Sequence, residues 1–260
     1  MPCEEKDGVE QTKQATYRTG VGKLLYLMRW SRPEILNSVR ELSKNMKTAS
    51  KAHLKAMYRV MSYCVATPKR GLLLKPKKKW NGDPNYEFEI RGRADANYAT
   101  DTVNRRSVSG YSTFLEGSPI SAKSNGQKSV TLSTAEAELA SCTACAQDML
   151  YEMRVLESIG LKVKLPMILE NDNKGAVDLI NNWSVGGRTR HIEVRQYFLR
   201  ELKEAGLILT IWVPGDQMSS DIFTKNVERP LFERHAQNYC GIDQYMKESI
   251  KDSQGESVAG

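Results

Sequence analysis

Ala94-Asp95-Ala96-Asn97-Tyr98 closes a run in which Tyr86, Phe88 and Ile90 alternate with Glu87, Glu89 and Arg91. A period of two predicts a half-buried strand over residues 86–93, which carries the backbone to Asp95 just past its end. A carboxylate placed there is either turn chemistry or the first member of a site. Three further acids, Glu138, Asp172 and Asp221, lie in contexts that could bring them to the same place.

Working outward, the strand texture continues over residues 106–115, 119–124 and 129–132, with Gly117-Ser118 and Asn125-Gly126 as turn signals. An antiparallel meander is expected. A long amphipathic helix then starts at Ser133, with Ala135, Leu139, Cys142, Ala146, Met149, Met153 and Leu156 inward until Gly160 stops it. Next come a strand at 167–171, short helices at 173–182 and 190–205, a strand at 207–213 and a final helix or turn from Ser219. Three antiparallel strands followed by alternating helices and strands define an α/β fold with a mixed sheet.

Ser133-Thr134-Ala135-Glu136 fits a capping box, which gives Glu136 a structural task. On a helical wheel Glu138 lies roughly 55° from the centre of the apolar stripe and Glu136 roughly 105° from it. Glu138 is therefore the one expected to look toward Asp95. Asp172 ends the apolar run Met167-Ile168-Leu169 and precedes a helix, where a helix cap is the competing role. Asp221 follows the last strong strand. Four converging acids would repel one another unless cations neutralised them, and all-oxygen ligation suits Mg²⁺ or Mn²⁺. A pair of such ions activates water and stabilises the leaving oxygen of a phosphodiester.

The first third of the chain is different. Residues 19–30 carry an apolar helical stripe, Pro33 opens a second helix, and residues 50–66 form a third, which predicts a small all-α bundle. Residues 1–14 read as loose. Through residue 85 there are 18 basic and 7 acidic residues, net +11, whereas the remainder has 20 and 24, net −4. A basic module joined to an acidic one suggests polyanion binding by the first, or simply well-solvated helices. Pro76, Lys77-Lys78-Lys79, Gly82 and Pro84 break all periodicity. The expected domains are a basic bundle at 15–74, a linker at 75–85, a sheet domain at 86–226 and a C-terminal tail at 227–260.

The 260 residues have no apolar run long enough to cross a bilayer, so no membrane partner is expected. The opening residues lack the apolar core of a secretory signal, and five scattered cysteines do not make a disulfide framework. An intracellular location is expected. Cys142 and Cys145 fall on a helix without a second ligand pair and read as core thiols.

In combination, six segments carry a resemblance: Asp95-Ala96-Asn97-Tyr98-Ala99, Arg106-Ser107-Val108-Ser109-Gly110-Tyr111, Leu132-Ser133-Thr134-Ala135-Glu136-Ala137-Glu138-Leu139, Glu170-Asn171-Asp172-Asn173-Lys174-Gly175-Ala176, Arg188-Thr189-Arg190-His191-Ile192-Glu193-Val194-Arg195 and Asp221-Ile222-Phe223-Thr224-Lys225. Their order and spacing resemble the ribonuclease H domain of copia-type (pseudoviral) retrotransposon polyproteins over residues 86–226. The upstream Tyr17-Arg18-Thr19-Gly20-Val21-Gly22-Lys23-Leu24-Leu25-Tyr26-Leu27, and Arg32-Pro33-Glu34-Ile35 through Gly71-Leu72-Leu73-Leu74, are similar to the segment that follows the polymerase palm in those polyproteins, which would make the bundle part of a thumb or connection region.

The resemblance implies a ribonuclease H-like fold, cleavage of the RNA strand of RNA–DNA hybrids, and two Mg²⁺ (or Mn²⁺) held by Asp95, Glu138, Asp172 and Asp221. In that scheme Asp95 bridges both ions, Glu138 and Asp172 complete one shell each, and Asp221 supports the ion that activates water. Arg188, Arg190, His191 and Arg195, with Arg200, would meet the hybrid's phosphates or form a solvated helix face. His191 reads as an aid to product release or as a hydrogen-bonded structural histidine. The family often has an acid where this chain has Asn97. No Tyr-x-Asp-Asp occurs, so no polymerase activity is expected and the palm is expected elsewhere in a longer polyprotein. The resemblance places the protein in a cytoplasmic virus-like particle or the nucleus. The alternative is a catalytically idle nucleic-acid-binding remnant of a degenerate retroelement.

Overall fold

The computed structural model describes residues 10–101, 103–182 and 190–241, with backbone only at 190–193. The described residues divide into two compact units, one of residues 74–235 and one of residues 10–73 together with 236–241.

In the helical unit, α1 (Gln11–Trp30), a 3-10 turn at Pro33–Ile35, α2 (Leu36–Ser43) and α3 (Lys51–Ala66) enclose Tyr17, Val21, Leu24, Ile35, Val39 and Met57. Helix α1 starts earlier than the apolar pattern predicts. Its first turns are polar but anchored: the Gln14 amide donates to Met46 O at 2.8 Å and accepts from Ala49 N at 2.9 Å. Pro33 opens a 3-10 turn rather than an α-helix. Ser50 caps α3 reciprocally with His53. Gly71–Leu72 pairs antiparallel with Cys240–Gly241, adding two short strands to a unit expected to be all helix. Residues 229–236 of the expected tail are helical and 240–241 are a strand, and its residues 242–260 lie outside the described residues.

The other unit is built on a five-stranded sheet. Its strands are β1 (Ile90–Asn97), β2 (Val108–Leu115), β3 (Ser118–Gly126), β4 (Met167–Asn171) and β5 (Ile208–Trp212), in the order β3-β2-β1-β4-β5. The first three form the antiparallel meander, and β4 and β5 join in parallel. Glu116 and Gly117 turn the β2–β3 hairpin at φ 51° and 80°. The expected strand at 129–132 is absent. Its residues bond otherwise: the Thr131 hydroxyl lies 2.7 Å from that of Ser107 and Leu132 N donates to the Glu136 carboxylate, while Gln127 just before it donates from Nε2 to Ser109 Oγ and Ala137 O, each at 2.9 Å. Residues 75–85, expected as a linker, fall in this unit, where Lys77 N donates to Glu116 O.

Helix α4 (Thr134–Ser158) lies on the sheet, burying Leu139, Cys142, Cys145, Ala146 and Met149 against Ile90, Ala94, Leu169 and Ile208. Gly92 in the central strand sets how close it comes. A Cβ there would sit 2.5 Å from Met149 Sδ and 2.6 Å from Cys145 Sγ. Both thiols of the C-x-x-C pair are thus core groups. The unit is completed by α5 (Lys174–Asn181), α6 (Arg190–Glu204), α7 (Asp221–Thr224) and α8 (Arg229–Ala236). No described helix is long and apolar enough to cross a membrane.

Candidate metal centre

Asp95 lies inside β1, opposite Gly110 of β2, and not just past the strand as its sequence context suggests. The glycine explains the neighbourhood. A Cβ at Gly110 would lie 2.5 Å from Thr224 Cγ2 and 2.9 Å from Phe223 Cβ, so α7 packs on the strand only because that position has no side chain. Packed there, the Thr224 hydroxyl donates to Asp95 Oδ2.

Glu138 enters from the second turn of α4 and is buried. Its Oε2 accepts from Asn171 Nδ2 at 2.9 Å, and the Ala96 backbone also bonds to it. Asn171, the last residue of β4, further donates to Ala94 O at 2.9 Å and accepts from Asn173 N at 3.0 Å. One amide thus ties β1, α4 and the entry to α5 together. Glu136 is also buried, but its carboxylate accepts from Leu132 N at 2.6 Å, one residue before the expected capping-box partner.

Asp172 follows β4 directly. It does not cap α5; Asn173 does, accepting from Ala176 N at 3.0 Å. Relieved of that task, the Asp172 carboxylate turns to the other acids, while its backbone carbonyl accepts from Trp212 Nε1 at 2.9 Å. Asp95, Glu138 and Asp172 each present an oxygen such that all three lie within 4.8 Å of one another. Asp221, the first residue of α7, is buried beside them, and its Oδ1 is 2.9 Å from Lys225 Nζ.

Crowding of like charge shows in the proton affinities. Burial, then Asp95, holds the Glu138 carboxyl well above the usual range. Burial and Asp95 also raise Asp172, with Lys225 opposing. Asp221 is pushed up to about 7 by burial and then by Asp95, again against Lys225. The ammonium of Lys225 is disfavoured by burial, but Asp95, Asp221 and Asp172 outweigh that and raise it. A buried all-oxygen donor set whose members resist ionising together fits a hard divalent cation.

The remaining expected residues fall differently. Arg188 and the side chains of Arg190 and His191 lie outside the described residues, and Arg195 is half-buried on α6. Arg200 does not face solvent; its guanidinium donates to Leu179 O, with Nη2 at 2.8 Å, and to Asn182 O, closing the C-terminal end of α5. Sequence reasoning missed Asn171, Thr224 and Lys225. Thr224 and Lys225 stand three and four residues after Asp221, the spacing that places side chains on one helical face. Nothing in the sequence marks Asn171. Replacing Asn171 by Ala should cost on the order of 1–3 kcal/mol, because Glu138 and Ala94 O each lose a buried donor. Chemical denaturation of the two proteins measures it.

A mixed sheet in the order β3-β2-β1-β4-β5, with a long helix on it and acids at β1, the start of α4 and the end of β4, is a ribonuclease H-like fold. Among solved structures it is similar to LC11 ribonuclease H1, isolated from compost, at 13% identity and a TM-score of 0.41, over 52% of this chain and 92% of that one. No family model matches the chain. It is 31% identical over 229 residues to the Retrovirus-related Pol polyprotein from transposon RE1 of Arabidopsis thaliana, covering 88% of this chain and 15% of that protein. It is 32% identical over 217 residues to the corresponding polyprotein from transposon TNT 1-94 of Nicotiana tabacum, covering 84% of this chain and 16% of that protein. The chain is thus similar, over most of its own length, to part of copia-type retrotransposon Pol polyproteins. It spans about 15% of the length of these relatives.

Proposed function

We propose that the sheet unit is a divalent-metal-dependent endonuclease that hydrolyses the RNA strand of RNA–DNA hybrids as part of a retrotransposon reverse transcriptase. The observation that carries this reading is the meeting of Asp95, Glu138 and Asp172 oxygens within 4.8 Å, inside a ribonuclease H-like sheet. These three acids would hold Mg²⁺ or Mn²⁺, two ions with Asp221 recruited beside them. When bound, the ions supply a water nucleophile at neutral pH and charge stabilisation at the leaving oxygen. The chain's own residues fix the frame: Thr224 holds Asp95, Asn171 and the Ala96 backbone hold Glu138, and the Asp172 backbone is held by Trp212.

Arg195, with Arg188, Arg190 and His191, is assigned to the hybrid. Polymerisation is assigned to a palm elsewhere in a longer polyprotein, because this chain has no Tyr-x-Asp-Asp. The test is incubation of the purified chain with a labelled RNA–DNA hybrid, with single-stranded RNA and duplex DNA alongside, in Mg²⁺ or in chelator. Cleavage confined to the hybrid's RNA and to the Mg²⁺ samples is expected. Hybrid binding without cleavage would instead identify an idle nucleic-acid-binding remnant.

A further inference from the structure

We infer that Lys225 is a built-in counter-ion that competes with a divalent cation for Asp221, so that the centre takes one ion tightly and a second only when Lys225 lets go. The inference rests on the metal-centre reading above and deepens it. Lys225 Nζ lies 2.9 Å from Asp221 Oδ1, an i,i+4 pair at the end of α7. The two side chains are unequally placed: that of Asp221 is 6% exposed and that of Lys225 39%. The carboxylate is held where it is, while the lysine has open solvent into which its stem swings.

The same short helix treats its two acids differently. Thr224 gives Asp95 a neutral hydroxyl, which a cation leaves in place, whereas Lys225 gives Asp221 a full positive charge, which a cation must displace. Asp221 is correspondingly absent from the set of oxygens that come together, which is made by Asp95, Glu138 and Asp172 alone among the described residues.

Charge counting gives the order of events. With Asp95, Glu138, Asp172 and Asp221 ionised and Lys225 protonated, the centre carries a net of about three negative charges, and one divalent ion leaves about one. A second ion would leave the buried site net positive unless Lys225 withdrew, in which case the charges cancel. Lys225 thus acts as a positioning and charge-balancing residue, keeping the metal-free acids together and setting the threshold for the second ion.

Titration of the full chain with Mn²⁺, followed by calorimetry and by the loss of the free-ion electron paramagnetic resonance signal, tests this without turnover. The unaltered chain should show two steps, the first clearly tighter. Lys225→Met should tighten the second step at least about tenfold, as expected for removing one charge a few ångströms from the ion. It should also melt lower without metal and regain that loss with Mn²⁺, while Lys225→Arg keeps the two-step isotherm. Should Lys225→Met not fold, Lys225→Gln and the unaltered isotherm carry the same question. Two indistinguishable steps in the unaltered chain, unchanged or weaker Mn²⁺ binding in the charge-removing variant, or no binding by either protein would overturn the inference. Failure of hybrid cleavage with the two-step isotherm intact would defeat the nuclease reading and leave Lys225 in this role.

Discussion

Replacing Asp95 by Asn is expected to lower hybrid cleavage by a factor on the order of a thousand or more while raising the melting temperature of the metal-free protein. The opposite signs come from one cause. Asn has the same shape, and its carbonyl oxygen still accepts from Thr224, so β1 and α7 keep their packing. What disappears is the negative charge that raises Glu138, Asp172 and Asp221. Without metal, its loss relieves repulsion between buried carboxylates. With metal, a ligand charge is gone from a site whose ions are worth several kcal/mol of transition-state stabilisation. Single-turnover cleavage and thermal melts on the same two preparations measure both signs. A variant that cleaves like the unaltered chain would remove Asp95 from the site, and one that melts lower would mean the crowding is illusory.

The second large effect is the pH dependence of stability. Glu138 and Asp172 have folded-state values above those of an unfolded carboxylate, and Asp221 is raised from 3.8 to about 7. A group with a raised native value binds more protons folded than unfolded, so its stabilisation is complete below the unfolded value and is lost as pH rises through the native one. Metal-free protein is therefore expected to melt at higher temperature as pH falls from about 8 to 6.5. His235 works the other way below that window. Burial and then Arg234 lower its value from 6.5 to about 4, so stability is lost as pH falls through that interval. Saturating Mg²⁺ should lift the melting temperature most at pH 8, where the acids are most fully ionised, and flatten the upper slope. Melts across pH, with chelator and with Mg²⁺, check this. A metal-free melting temperature that climbs steadily between pH 6.5 and 8 would contradict it.

How far the sequence reveals this centre varies with the kind of force involved. The three-and-four spacing through Leu139, Cys142, Ala146 and Met149 reports burial on one face, and α4 forms as that pattern requires. The alternation read over 86–93 is displaced: the sheet strand runs over Ile90–Asn97, and Glu87–Phe88 pairs apart from it with Lys162–Val163. Glu138 was separable from Glu136 because the apolar stripe fixes which side of α4 meets the sheet. Both are nevertheless buried, since Glu136 finds a donor in Leu132 that a wheel does not show.

The misses have the opposite character. Strand β1 runs through Asp95, a poor strand residue, because its register opposite Gly110 is a long-range property of the sheet. Residues 129–132 have strand-like composition but form no strand, and their polar groups bond elsewhere, Thr131 to the Ser107 hydroxyl and Leu132 N to the Glu136 carboxylate. Helix α1 starts early because Gln14 bonds a loop more than thirty residues away. Asn171 and Lys225 are not legible in the sequence because an amide clamp and an ion pair leave no periodic trace.

The most direct test is anomalous diffraction from crystals of the protein grown with Mn²⁺. A peak in contact with carboxylate oxygens of Asp95, Glu138 and Asp172, and absent in Asp95→Asn crystals grown the same way, is predicted. Mn²⁺ bound elsewhere with no peak there, or the three carboxylates found dispersed, would contradict the account.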